Sequence, residues 1–347
     1  MRHVAVGLIG YGFAGSVFHA PLIKSVPGLV LRRIACRDPA GPQRDHPGVQ
    51  WDDHHQAMLS DPLIELVVIA TANDSHFPLA LAALEAGKNV VVEKPFVITV
   101  AEGETLIASA HARGLVLSVF HNRRWDSDFL TVRQIIESKQ LGKVYRYEAQ
   151  FDRFTPTVKQ RWREQATAGA GILFDLGSHL IDQALQLFGL PQTIFADITC
   201  QRPGALADDY FQLFLNYGDL KVSLHASRLV MQPGPRYQVH GISGSLIKDG
   251  LDVQEAALLR GERPNQAQWG AEPAEHFGRV TLNCNGLTLR GTVDSVAGCY
   301  PAYYQGMYAA IVDGIAVPVT ASDALNVIRV IACAQRSQAE HRAVDFG

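Results

Sequence analysis

The sequence lacks the features that would send it out of the cytosol or onto a charged polymer. Its cysteines, five in all (Cys36, Cys200, Cys284, Cys299 and Cys333), lie far apart and form no CxxC pair. That pattern builds neither a disulfide framework nor a thiolate metal site, and it fits a reducing compartment. No block of lysine or arginine stands out and the formal net charge is -3, so neither nucleic acid nor a membrane surface is an expected partner. No apolar run is long enough to cross a bilayer. The first apolar run passes into glycines with no small-residue cleavage site, so no secretory leader is expected. Internal repeats and low-complexity tracts are absent. His54 and His55 are adjacent, with no cysteine or carboxylate at ligand spacing, so no metal site is expected. The expected location is the cytoplasm.

What is present is a chain of 347 residues, 47% hydrophobic and 19% charged, enough for a well-buried core and two domains. It opens with an apolar run, His3 to Ile9, that ends in Gly10-Tyr11-Gly12-Phe13-Ala14-Gly15 and enters a stretch of helical character, Ser16 to Val26. This is a dinucleotide-binding fingerprint, and each glycine has its own reason. Gly10 permits the tight turn out of the strand, Gly12 lets a pyrophosphate approach the backbone, and Gly15 lets helix and strand pack closely. The helix start adds amide N–H groups and a partial positive charge for the phosphates. The same glycines also serve plain folding. The strand–helix alternation that follows favours the cofactor.

The second strand, Leu29 to Cys36, ends in Ala35-Cys36-Arg37-Asp38. An acidic residue here would hold a ribose 2′-hydroxyl, as NAD-binding domains do. A small residue followed by Arg37 suits a 2′-phosphate instead, so NADP is preferred, and Asp38 leaves NAD open. Glu65 to Thr71 is a continuous apolar strand followed by Ala72-Asn73-Asp74-Ser75-His76. Ligands of open α/β sheets sit beyond the carboxyl ends of the strands, which places Thr71, Asn73 and His76 at the cofactor. Helix capping by Asn73, Asp74 or Ser75 is the other reading. The strand Lys88 to Pro95 brings Glu93 and Lys94 to the same edge. A helix, Thr99 to Arg113, and a strand, Leu115 to Phe120, complete a doubly wound parallel sheet.

Beyond a helix at Asp128 to Ser138, alternating residues mark strands at Lys143 to Phe154, Thr193 to Gln201, Tyr210 to Tyr217, Lys221 to Leu229, Tyr237 to Ile242 and Val280 to Asn283. Successive strands without intervening helices argue for antiparallel pairing. Tyr303 to Gly314 and Ser322 to Gln338 read as closing helices. Asp175 and His179 stand four apart, so a helix spanning both puts them on one face. They present either a carboxylate and an imidazole to a cleft or a helix cap and a packed polar residue. The glycines before them, Gly169 and Gly171, allow close approach to a ligand.

Four segments resemble one family, the Gfo/Idh/MocA oxidoreductases, which include glucose–fructose oxidoreductase and the inositol dehydrogenases. They are the glycine turn, Ala70 to His76, Glu93-Lys94-Pro95, and Gly169 to Asp182 with its Asp175 and His179. Within the family, Phe120 to Asp126 and Arg161 to Glu164 are most similar to the bacterial NADP-dependent scyllo-inositol dehydrogenase group. Ala72 stands where the family often has proline, which loosens the turn but removes no chemical group. The resemblance implies a Rossmann domain over residues 1–121 and a second domain over 122–347. The second is a large, open, mostly antiparallel β-sheet with closing helices. One sheet face would cover the active site and the other would join a homodimer or homotetramer. A cis peptide at Lys94-Pro95 is also implied.

The chemistry expected is the reversible oxidation of a secondary alcohol, hydride passing between substrate carbon and nicotinamide. His179 is the expected general base or acid. Lys94 is expected to hydrogen-bond the same oxygen, and Asp175 to orient a neighbouring hydroxyl or the imidazole. A polyol is wet on every side, so polar groups among aromatic walls should hold it. Asn122, Arg123, Trp125, Asp126, Arg153 and Trp162 are the candidates, with Asp126 and Arg153 equally able to serve structural ion pairs. The expected substrate is a polyol or sugar, first scyllo-inositol and its 2-keto form. An aldose or keto-sugar reductase and a non-catalytic NADP-binding regulator are the alternatives.

Overall fold

The structure, a computed structural model, describes residues 1–264 and 266–347. The chain divides into two compact units. The first holds residues 1–122, 254–269 and 299–325, and the second holds 123–253, 270–298 and 326–347. The first unit is therefore not one continuous stretch, because two later segments rejoin it.

The first unit is built on a six-stranded parallel sheet: β1 (Val4–Ile9), β2 (Leu29–Ala35), β3 (Gln50–Asp52), β4 (Leu66–Ile69), β5 (Asn89–Glu93) and β6 (Leu117–Phe120). The order across it is β3-β2-β1-β4-β5-β6, and every pairing is parallel. The continuous apolar runs follow from burial on both faces: all four residues of β4 and of β6 are buried. Chain direction across the sheet reverses between β1 and β4, and the carboxyl ends there are where such sheets take ligands. The helix Val100–Arg113 shows how local sequence sets its ends. Thr99 and Glu102 form a reciprocal capping box, and Gly114 closes it in the left-handed conformation. The returning segments are tied in by buried polar bonds. Tyr303 Oη donates to Ser118 Oγ (2.9 Å), and Ser118 Oγ donates to the Val319 carbonyl (2.7 Å).

The second unit carries a nine-stranded sheet of order β14-β13-β12-β11-β7-β10-β9-β8-β15. The strands are β7 (Val144–Gln150), β8 (Thr193–Thr199), β9 (Tyr210–Tyr217), β10 (Leu220–Ser227), β11 (Tyr237–Gly241), β12 (Gly244–Lys248), β13 (Gly278–Cys284), β14 (Leu287–Val293) and β15 (Val344–Asp345). All neighbours are antiparallel except β7 and β10, which run parallel. The core side is read from the alternation: Tyr147 and Ala149, Phe211 and Leu213, Val222 and Leu224, Tyr237 and Val239 are all buried. β12 and β14 were not expected. β12 is a five-residue strand set between the turn at Ile242-Ser243 and the turn residues Asp249-Gly250, and the leucines of β14 are exposed. The helix expected over Ser16 to Val26 is π-helical over Ala14–His19 before it becomes α-helical over Ala20–Ser25. Among the described residues no helix is long and apolar enough to cross a membrane.

A buried ionic cluster anchors the start of the helix Ser127–Glu137. Lys248 is fully buried and donates to Glu272 (2.7 Å) and to the His276 carbonyl (2.6 Å). Glu272 also accepts from Ser127 Oγ (2.7 Å), while the Ser127 amide donates to Asp252 (2.8 Å). Removing one partner of such a pair strands a charge in a low-dielectric interior. Lys248→Met is therefore expected to lower the unfolding free energy by about 3–5 kcal/mol in urea titration, and Lys248→Met with Glu272→Leu to recover most of that loss. Equal losses in the single and the double variant would contradict this.

Candidate active-site residues

In the first unit the glycine turn has the form a dinucleotide needs. Gly10 has φ 95°, and a Cβ added there would lie 2.4 Å from the Ala70 carbonyl oxygen, so β1 and β4 leave room for glycine alone. A Cβ on Gly12 would meet nothing within 4 Å, so that backbone faces open space, as close approach by a pyrophosphate requires. Ala14 opens the π-helical turn, a form frequent at functional sites, and Phe13 is exposed at 54%. The Tyr11 hydroxyl donates to Asp45 (3.0 Å), and burial and that carboxylate raise its pKa. Beyond β2, Cys36 is half-buried with its thiol against the Asp38 carbonyl (3.1 Å). Asp38 accepts from the Ala40 amide (2.9 Å) and so opens the next helix. Arg37 is exposed, and among the described residues no ion pair engages it.

The β4 and β5 ends are locked together. His76 is fully buried and its Nδ1 lies 2.8 Å from the Pro95 carbonyl, while Nε2 lies 3.4 Å from the Thr71 carbonyl. Burial lowers its pKa, so the neutral ring donates through Nδ1. His76 thus ties the turn that carries Lys94. Ser75 Oγ sits 2.7 Å from Thr71 Oγ1, Asn73 is buried, and Ser75 makes no side-chain cap bond to the helix His76–Glu85. Lys94 is half-buried on the cis Lys94-Pro95 turn, and its amide donates to Glu93 Oε2 (2.6 Å). Burial pushes the Glu93 carboxyl up, but His19, Lys94 and His76 outweigh it and hold the pKa below the usual range.

In the second unit Asp175 lies in a π-helical turn, Leu173–Gly177, that runs into the helix Ser178–Phe188, and His179 is buried near that helix start. Two buried contacts fix this helix. Arg124 makes a two-pronged bond to Asp182 (2.9 and 2.6 Å). Gln183 donates to the Arg123 carbonyl (2.9 Å) and accepts from Tyr237 Oη (2.9 Å). Asp175 has Arg163 at 3.7 Å and Arg228 at 3.5 Å. Asp126 is buried and paired with Arg123 (3.0 Å), the structural form expected as one of its two readings. Arg153 is exposed with its guanidinium over the Phe151 ring (5.2 Å), and Arg163 lies over the half-buried Trp162 (4.5 Å). Asn122 is buried and Trp125 half-buried in the short turn Asn122–Trp125.

One expectation is corrected. Gly171 has φ 88°, and its missing side chain makes room for Asp208, whose carboxylate oxygen would sit 1.9 Å from an added Cβ. That carboxylate accepts from the Leu173 amide (2.7 Å), so Gly171 admits a cap from a distant part of the chain and not a ligand. Arg228, Arg163, Asp208 and the Arg124–Asp182 pair were not expected. For Arg228 a signal existed, since it continues the inward alternation Val222, Leu224, Ala226. Among the described residues no group of histidine, cysteine and carboxylate side chains could hold a metal ion.

Burial pushes the Asp208 carboxyl up to about 6, against the amides that it accepts from. A folded-state pKa above the unfolded value near 4 means that the folded chain holds the extra proton between the two. Stability from this group is therefore present at low pH and is lost as pH rises through about 6. The difference in unfolding free energy, wild type minus Asp208→Asn, is expected to fall by about 2 kcal/mol between pH 4 and pH 7 and to be nearly flat above. A difference independent of pH would contradict it.

The profile described as "Oxidoreductase family, NAD-binding Rossmann fold" matches residues 4–121, and that described as "Oxidoreductase family, C-terminal alpha/beta domain" matches residues 133–346. The chain is 41% identical to scyllo-inositol 2-dehydrogenase (NADP(+)) IolW of Bacillus subtilis, over 98% of this chain and 95% of that one. It is 46% identical to the oxidoreductase YdgJ of Escherichia coli, over 98% of each. Among solved structures, the oxidoreductase yvaA of Bacillus subtilis superposes with a TM-score of 0.97 at 41% identity, covering 99% of this chain and 98% of that one. With both halves matched in sequence and one fold shared throughout, the chain belongs to the Gfo/Idh/MocA family of oxidoreductases, with an NAD-binding Rossmann domain.

Proposed function

We propose that the chain is an NADP-preferring dehydrogenase acting on a CH–OH group of a polyol or sugar in the cytoplasm, with scyllo-inositol and its 2-keto form as the first substrate pair. The observation that carries this reading is the β1–β4–β5 edge. There a glycine backbone open to a ligand and a lysine on a doubly tied turn occur together. The name of the Bacillus relative supports both the substrate class and the phosphorylated cofactor.

When bound, the nicotinamide supplies the exchange of hydride with the substrate carbon. Gly10 to Gly15, Thr71 and Asn73 would hold the dinucleotide, with Glu93 and His76 supporting the edge. Arg37 would pair with the 2′-phosphate, being exposed while its neighbour Asp38 is occupied at a helix start. His179 would take the hydroxyl proton on its imidazole and return it in the reverse direction. Lys94 would donate from Nζ to the same oxygen and stabilise negative charge there. Asp175 would accept from a neighbouring hydroxyl. Trp162, Trp125, Asn122 and Arg153 would hold the rest of the polyol, with Asp126 keeping Arg123 in place. The open face of the nine-stranded sheet exposes Phe195 and Phe214, whose rings lie 6.3 Å apart, and a second copy of the chain would cover them.

Incubation with NADP and a panel of inositols, followed by absorbance of the reduced nicotinamide, tests the activity. Turnover of a cyclic polyol is expected, and tight NADP binding without any turnover would favour a regulator. His179→Ala is expected to lower kcat by about 10²–10⁴-fold with NADP affinity nearly unchanged. A large affinity loss would assign His179 to structure. Arg37→Ala is expected to weaken NADP by about 10–100-fold and NAD far less. Equal effects on both cofactors would reject the phosphate contact. Sedimentation is expected to give a dimer or tetramer, and a monomer would reject the sheet-face association.

A further inference from the structure

The core side of the nine-stranded sheet is apolar along most of its length and then turns cationic. On β10 the inward positions Val222, Leu224 and Ala226 are buried, and the next inward position is Arg228. On β7 the inward series Tyr147, Ala149, Phe151 leads to Arg153, which is exposed with its guanidinium over the Phe151 ring. The two strands are parallel neighbours, and pairing continues past their ends. The Arg153 amide donates to the Ser227 carbonyl (2.9 Å) and the Thr155 amide to the Arg228 carbonyl (2.8 Å). A guanidinium at an inward position is costly unless acceptors meet its donors.

The acceptors around Arg228 fall short of its donors. Its side chain is only 14% exposed, and its nearest carboxylate, Asp175, lies 3.5 Å from Nη2. A good charge-assisted bond is about 2.7–2.9 Å. The buried Nε has no hydrogen-bond acceptor among the described residues. Burial lowers the pKa of Arg228; Asp175 and Glu164 oppose that, and the charges of Arg153 and Arg202 add to it. Arg202 competes for none of this space, being committed to Asp209 (2.8 Å), Glu164 (3.2 Å) and the Thr155 carbonyl (3.0 Å). The chain thus holds a partly desolvated cation with donors to spare beside the carboxylate assigned to the substrate.

We propose that Arg228 is a substrate-binding, specificity-determining residue that reads a vicinal diol together with Asp175. A guanidinium only donates, an ionised carboxylate only accepts, and a hydroxyl does both. Neighbouring hydroxyls can therefore bridge the two side chains, one oxygen accepting from Arg228 and the next O–H donating to Asp175. This rests on the polyol reading above and narrows it to substrates whose reacting carbon is flanked by a diol. An analogue lacking one of these hydroxyls leaves a desolvated donor unmet, which sites of this kind penalise heavily.

The test compares an inositol that the wild type oxidises with its deoxy analogue, for the wild type, Arg228→Gln and Arg228→Lys, with melting temperatures recorded for each. The wild type is expected to lose about 100-fold or more in kcat/KM on the deoxy analogue. Arg228→Gln is expected to lose a similar factor on the full polyol, chiefly through KM, and little more on the analogue. Arg228→Lys should recover part of the loss. Equal losses on both substrates, or none on either, would overturn the proposal. If Arg228→Gln does not fold, the wild type decides alone, because equal kcat/KM for polyol and analogue also overturns it. A wild type that turns over no polyol would sink the parent reading and this inference with it. An active wild type without discrimination sinks only the inference.

Discussion

The buried carboxylate of Glu93 is the constraint on which the turn carrying Lys94 depends. Taken out of water, it would tend to hold a proton, yet its neighbours keep it ionised. One oxygen accepts from the Lys94 amide and the other faces His19 Nε2 at 3.3 Å. His19 is itself buried, with Nδ1 2.5 Å from Tyr304 Oη. The ring therefore stands between the two groups, Nδ1 against the tyrosine hydroxyl and Nε2 facing the carboxylate. Lys94 is therefore not a loose surface amine. Its backbone is pinned by Glu93 on one side and by His76, through Pro95, on the other. Residues 299–325 return to this unit, and Tyr304 on the helix Pro301–Asp313 completes the chain of contacts.

The second unit uses the same physics with opposite charges. The helix Ser178–Phe188 is held by the buried Arg124–Asp182 pair and by Gln183, and Asp208 caps the turn that leads into it. A chemical group placed by buried partners keeps its geometry without help from the ligand, which is what catalysis by positioning requires. Both proposed functional turns, Ala14–His19 and Leu173–Gly177, are π-helical. Each fits an extra residue into a turn where a regular α-helix would set the side chains differently.

How much of this the sequence disclosed depends on the range of the signal. The parallel sheet was legible because β1, β4, β5 and β6 are nearly continuous apolar runs, as burial on both faces demands. The strands of the larger sheet were legible where one face is buried, as in β9 and β10, and were lost at β14, whose residues face solvent. The parallel β7–β10 pair departs from the antiparallel expectation because a long excursion of chain separates those strands. Lys94, Asp175 and His179 were visible as motifs. What holds them was not: Tyr304, Asp208 and Arg124 act from sites remote in sequence, and no local pattern announces such partners. Gly171 shows the consequence, since a glycine credited to a ligand turned out to admit a carboxylate from Asp208.

In the proposed reaction Lys94 and His179 serve one chemical event, the handling of a single alcohol proton. A double-mutant cycle on kcat with NADP and a cyclic polyol measures whether they do. Groups that act as a unit are far from additive, so Lys94→Ala with His179→Ala is predicted to be scarcely slower than the worse single variant. If the two losses instead multiply, the residues act independently and the shared role is wrong.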